Sequence, residues 1–100
     1  MEQTCTSADY RLYALAGGPP LRPGLVRDSH AAAISVEVWA MPADQLGSFL
    51  QLIPAPLGLG KVELADGRWV SGFICEPWGI AGAVDVSSFG GWRAWLDSQI

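Results

Sequence analysis

The side chains able to move a proton or grip an anion are few in this sequence, and each reads as a candidate on its own terms. Glu76 closes the apolar run Trp69 to Cys75 and is followed by Pro77. A carboxylate at the mouth of a sheet can serve as a general acid or base, which makes Glu76 the candidate catalytic residue. A solvated strand end would explain the same position. Arg11 and Tyr13 lie in Tyr10-Arg11-Leu12-Tyr13-Ala14-Leu15. A guanidinium can hold a carboxylate through two parallel hydrogen bonds, so Arg11 with Tyr13 is a candidate binding pair for a small carboxylated ligand. Tyr10 and Tyr13 fall on opposite faces of a strand, so at least one of them packs in the core. His30 is the single histidine. An imidazole suits proton transfer near neutral pH, yet Asp28-Ser29-His30 is a polar turn, and His30 reads as an exposed surface residue. Glu37 reads as an outer-face carboxylate or as a partner for Arg11 or Arg27. Lys61 and Arg68 read as exposed charges beside a turn.

Composition excludes several classes of function. Six basic residues stand against ten acidic ones, for a net charge of −4. Nucleic-acid binding needs a basic surface to neutralise phosphates, and no such surface is encoded. A polybasic membrane anchor is excluded for the same reason. No apolar run approaches the roughly 20 residues needed to cross a bilayer. The start, Met1-Glu2-Gln3-Thr4-Cys5, lacks the basic-then-apolar order of a signal peptide, so a cytoplasmic protein is expected. One histidine and two distant cysteines do not make a metal site. Gly58-Leu59-Gly60 is no phosphate loop, and no cofactor is implied. Cys5 and Cys75 are expected to stay reduced, with Cys75 acting as a small buried hydrophobe.

The elements that must position these residues follow from periodicity. Tyr10 to Leu15 predicts a strand, stopped by Gly17-Gly18-Pro19-Pro20. Leu25 to Arg27 predicts a short extended piece. In Ala33 to Trp39, Ile34, Val36 and Val38 share one face of a strand. Pro42 sits where a helix could begin, and Leu46, Phe49, Leu50 and Ile53 form its apolar stripe, ended by Pro54 and Pro56. Gly58 to Gly60 reads as a tight connection. Val62 to Leu64 and Trp69 to Cys75 read as strands joined at Asp66-Gly67, a hairpin signal. Asp85 to Ser88 offers caps for a final helix carrying Phe89, Trp92, Trp95 and Leu96. The expected class is α+β: a mostly antiparallel curved sheet or partial barrel with two short helices.

Taken in order, several of these segments resemble the C-terminal domain of allophanate hydrolase. They are Asp9 to Leu15, Pro23-Gly24-Leu25-Val26-Arg27, Ile34 to Pro42, Ile53 to Gly60, Val62 to Gly67, Gly72 to Pro77 and Phe89 to Leu96. The resemblance spans about residues 9 to 97. It implies a γ-glutamylcyclotransferase-like fold and a link to urea breakdown. In that family a large amidase domain with a Ser-Ser-Lys set forms N-carboxycarbamate, and the small domain is thought to decarboxylate it. The family's proposed catalytic histidine lies in a loop resembling Gly-x-His-Leu-Ser-Gly, ahead of the tyrosine-rich strand. The eight residues before Asp9 hold no match, and His30 lies in a different turn. The wider fold's catalytic glutamate has no counterpart in Ile53-Pro54-Ala55-Pro56.

Residues 1–8 are therefore expected to be a flexible lead to a single domain over 9–100. An absent first strand would leave an open sheet edge and apolar surface for a second copy to cover, and five tryptophans agree with such an interface. Three readings follow. The first is an enzyme acting on a small carboxylated urea derivative. The second is a non-catalytic accessory domain, homodimeric or bound to a separate amidase subunit. The third is a remnant that folds without acting.

Overall fold

A computed structural model describes residues 1–18 and 20–99; Pro19 and Ile100 lie outside the described residues. Among the described residues, four strands, a short helix, three further strands and a second short helix follow in chain order. The strands are β1 (Glu2–Cys5), β2 (Tyr10–Ala14), β3 (Pro23–Arg27), β4 (Ser35–Val38), β5 (Leu57–Glu63), β6 (Trp69–Cys75) and β7 (Val84–Asp85). The helices are α1 (Leu46–Gln51) and α2 (Trp92–Ser98). Tight 3₁₀ turns occupy Ala43–Gln45, Pro77–Ile80 and Ser87–Phe89. Every strand pairing is antiparallel. The strands form three small sheets ordered β1-β4, β3-β2-β7 and β5-β6, and no closed barrel results. Single bridges stitch the sheets together, Thr6 to Leu64 and Tyr10 to Ala32. The α+β class with antiparallel sheets is thus observed.

One core serves all three sheets. Tyr10, Leu12, Ala14, Ile34, Val62 and Val86 are buried together, with Trp92 and Trp95 of α2 packed against them. Alternation along β2 explains its share, since Tyr10, Leu12 and Ala14 point inward while Arg11 and Tyr13 do not. The Tyr10 hydroxyl keeps a partner at full burial by accepting the Glu63 N–H at 2.9 Å.

The structure corrects four expectations. Residues 1–8 are no flexible lead. Residues 2–5 form β1, in register with β4 from Glu2 opposite Val38 to Cys5 opposite Ser35. Thr6 is fully buried, exchanging hydrogen bonds with Ile34 through its own N–H and its Oγ1, both at 2.9 Å. A polar strand lacks the apolar alternation that marks strands in sequence, which hid β1. Gly58 to Gly60 is not a tight connection but the first half of β5, paired with Ile74, Phe73 and Gly72 of β6. The last helix begins at Trp92 rather than near Ser88, because Gly90 adopts φ +81 and ends the 3₁₀ turn before it. Asp85 belongs to β7.

The Asp66-Gly67 turn closes the β5–β6 hairpin as the sequence predicts. Gly67 sits at φ +91, and Leu64 and Arg68 are joined by the Leu64 N–H donating to the Arg68 carbonyl at 2.8 Å.

Candidate functional site

Two concavities among the described residues could seat a ligand. The first is a cleft of about 450 Å³ built where three connections meet. The loop after β2 supplies Leu15, Gly17, Gly18, Pro20 and Arg22; the segment after α1 supplies Pro54 to Leu57; the 3₁₀ turn after β6 supplies Trp78 and Gly79. That volume falls within the range of small-molecule sites, roughly 300–1,000 Å³.

Local sequence explains the walls. Gly17 and Gly18 adopt φ +99 and +102, turning the chain out of β2. The Leu15 N–H then donates to the Arg22 carbonyl at 3.0 Å, which ties the loop shut. Pro77 opens the 3₁₀ turn after β6. Gly79 lets that turn lie flat on Pro56: an added Cβ would stand 2.3 Å from Pro56 Cγ and 2.9 Å from Cys75 Sγ. Trp78 is 61% exposed.

The charges around this cleft are distributed unevenly. Of the five arginines, four are held by carboxylates. Arg11 Nε lies 2.6 Å from Asp28 and Arg11 Nη1 3.1 Å from Asp85. Arg27 lies 3.9 Å from Glu63, with its guanidinium also over the Trp69 ring at 5.1 Å. Arg68 bridges Glu2 and Asp66. Arg93 meets Glu37 at 2.9 Å. Arg22 has no ion pair among the described residues, and it is the one charged side chain lining the cleft.

The second concavity, about 680 Å³, runs between β1, β4 and the start of α2. It is lined by Thr4, Cys5, Val36, Phe89 and Trp92 among others, and its charges, Glu37 and Arg93, neutralise one another. Glu37 therefore pairs with Arg93, not with Arg11 or Arg27.

The residues singled out in the sequence do not converge. Glu76 stands exposed behind the cleft wall, where its carboxylate accepts the Trp78 indole N–H at 3.1 Å and its N–H donates to the Pro56 carbonyl at 2.9 Å. Arg11 is engaged on both sides by Asp28 and Asp85, and the hydrogen bonds it donates to Asp28 and then to Asp85 hold its guanidinium more firmly protonated than usual. Tyr13 is half-buried opposite Gly24 and Asp85. Neither Arg11, Tyr13 nor Glu76 lines either concavity. His30 is exposed, with φ +58, and its N–H donates to the Asp9 carboxylate at 3.2 Å. Sequence reasoning passed over Arg22 and Trp78. A signal for Arg22 was available: it is an isolated cation held between Pro20 and Pro23 in a chain with few cations.

Both cysteines are free. Burial, then the nearby Glu76 charge, pushes the Cys75 thiol up, so it behaves as packing behind the cleft rather than as a nucleophile. Among the described residues no group of three His, Cys, Asp or Glu side chains could hold a metal ion. No helix among them is long and apolar enough to cross a membrane.

Comparison with known proteins gives a consistent result. The family model for the allophanate hydrolase C-terminal domain matches residues 1–97. Urea amidolyase of Saccharomyces cerevisiae is 44% identical over 94% of this chain, which spans 5% of that protein's length. The structure superposes on the selenomethionine-substituted allophanate hydrolase of Kluyveromyces lactis with a TM-score of 0.96 and 40% identity, covering all of this chain and 17% of that one. It also superposes on a protein specific to uropathogenic E. coli, with a TM-score of 0.88 and 31% identity, covering 97% of this chain and 75% of that one.

Proposed function

The chain belongs to the allophanate hydrolase C-terminal domain family, and from that premise we propose that it serves urea and allophanate degradation as a non-catalytic domain. In this reading it holds the small carboxylated product of an amidase, N-carboxycarbamate, and works beside that amidase. One observation carries the reading: the cleft presents a single free cation, Arg22, and no carboxylate, imidazole or lysine among its described lining residues. Decarboxylation breaks a C–N bond, releases CO2 and leaves a nitrogen that must take up a proton. A positioned acid normally supplies that proton. The cleft has a group to grip an anion and none to donate to the departing nitrogen. The two free thiols agree with a cytoplasmic setting.

The test is direct. The purified protein is mixed with N-carboxycarbamate generated in place by an amidase, and CO2 release is followed. The expected rate equals that of amidase and buffer alone. Acceleration that scales with the amount of this protein would make it a decarboxylase.

A second reading has its own observation. Among the described residues β4 pairs with no strand but β1, and beyond that pair its Ser35 N–H donates to the Gly90 carbonyl at 2.7 Å. Beside that edge Trp39 is 65% and Phe89 44% exposed. An open strand edge flanked by aromatics suits pairing with the same edge of a second copy.

A further inference from the structure

Resting on the ligand-holding reading above, we propose that Arg22 and Trp78 form the recognition pair of the cleft and select small planar amides that carry a carboxylate. Arg22 holds the carboxylate, and the exposed Trp78 ring takes the flat carbonyl–nitrogen unit against its face.

The two residues come from separate connections and meet as walls of one cleft. Arg22 is the single arginine free of a carboxylate among the described residues, so its fork of donors is uncommitted. Trp78 is exposed for a reason. Its indole N–H donates to Glu76 at 3.1 Å, which anchors the ring edge, while the residue stays 61% exposed and lines the cleft. The turn carrying it is seated tightly, since Gly79 touches Pro56 and Cys75 where any Cβ would collide. Glu76, the candidate acid or base of the sequence, acts here as a positioning residue for Trp78. The groove beside α2 offers no rival anion site, because Arg93 is already paired with Glu37. A small ligand gains affinity only from well-placed contacts, so loss of either wall is measurable.

The experiment titrates the full chain with ureidoacetate, a stable planar amide with one carboxylate, by amide NMR shifts and tryptophan fluorescence. Saturable binding in roughly the millimolar range is expected for so small a ligand, with shifts clustered at residues 15–22, 54–57 and 78–81. Biuret, planar but uncharged, is expected to bind at least about tenfold more weakly, since a charge-assisted hydrogen bond is absent. Arg22→Gln is expected to weaken ureidoacetate by roughly tenfold, with Arg22→Lys recovering part of the loss. Trp78→Leu is expected to weaken ureidoacetate several-fold while leaving acetate unchanged. Arg22 is exposed, so its variants are expected to fold, and circular dichroism checks the Trp78 variant. Unchanged affinity in Arg22→Gln, equal binding of biuret, or shifts centred on the α2 groove would each overturn the proposal. Those outcomes are independent of CO2 release. A catalytic result with an Arg22-dependent site removes the non-catalytic reading and leaves this pair standing.

Discussion

At the residue scale, most charged groups of this domain hold the chain together. Asp85 is the clearest case. Its Oδ1 accepts the Ser87 hydroxyl at 2.6 Å and the Ser87 N–H at 2.9 Å, and its Oδ2 meets Arg11. Ser87 in turn accepts the Leu12 N–H at 2.8 Å, so the carboxylate helps fasten β7 and the following turn onto β2. Burial pushes the Asp85 carboxyl up, but the Ser87 hydroxyl and amide, and then Arg11, outweigh it, and the net shift is downward. The sign follows from linkage. A carboxyl whose folded pKa is depressed stabilises the fold fully above its unfolded pKa, about 3.9 for aspartate. That contribution disappears as pH falls from there through the folded value. Asp85→Asn is expected to cost about 1 kcal/mol at pH 7, modest because the pair is partly solvated. The gap in melting temperature between wild type and variant should close as pH falls below about 4. A gap that persists undiminished at pH 2 would show that the charge is not what matters.

At the element scale, the 3₁₀ turn after β6 decides the shape of the cleft. It carries Trp78 outward and Gly79 inward, and there is no space for a methyl group between Gly79 and Pro56. Gly79→Ala must push the turn off the Pro54–Leu57 segment. Overpacking of this kind costs roughly 1–3 kcal/mol. It is expected to lower the melting temperature and to weaken ureidoacetate binding together, because the ring and the packing share one turn. Gly47→Ala is the control, since an added Cβ there meets nothing within 4 Å. In α1 that change is expected to be neutral or slightly stabilising. A Gly79→Ala protein as stable as wild type would refute the packing argument.

For the molecule as a whole, the open edge of β4 and the aromatics beside it predict self-association. Light scattering at tens of micromolar, about the range a modest interface sustains, is expected to give twice the 10.6 kDa of the chain. A monomer at that concentration removes the dimer reading. Much of the architecture was legible beforehand. The short aromatic-rich run Tyr10 to Leu15 marked β2, the alternation of Ile34, Val36 and Val38 marked β4, and Asp66-Gly67 marked the hairpin, because each is a local pattern with a local cause. The polar strand β1 was invisible, since what places it is pairing with β4, whose partner residues lie 30 to 36 positions away in the sequence, from Cys5 opposite Ser35 to Glu2 opposite Val38. The same holds for the candidate site. Composition determined that the domain is acidic, periodicity determined its α+β class, and the ordered segments carried its resemblance to the allophanate hydrolase C-terminal domain. Only the tertiary structure could assign each charge to its partner. Arg11 appeared free along the chain, but Asp85 closes on it from 74 positions away. Arg22 was passed over, and the fold brings it to a cleft wall with no carboxylate among the described lining residues to neutralise it. Ion pairing depends on distances in space, and local periodicity carries no information about them.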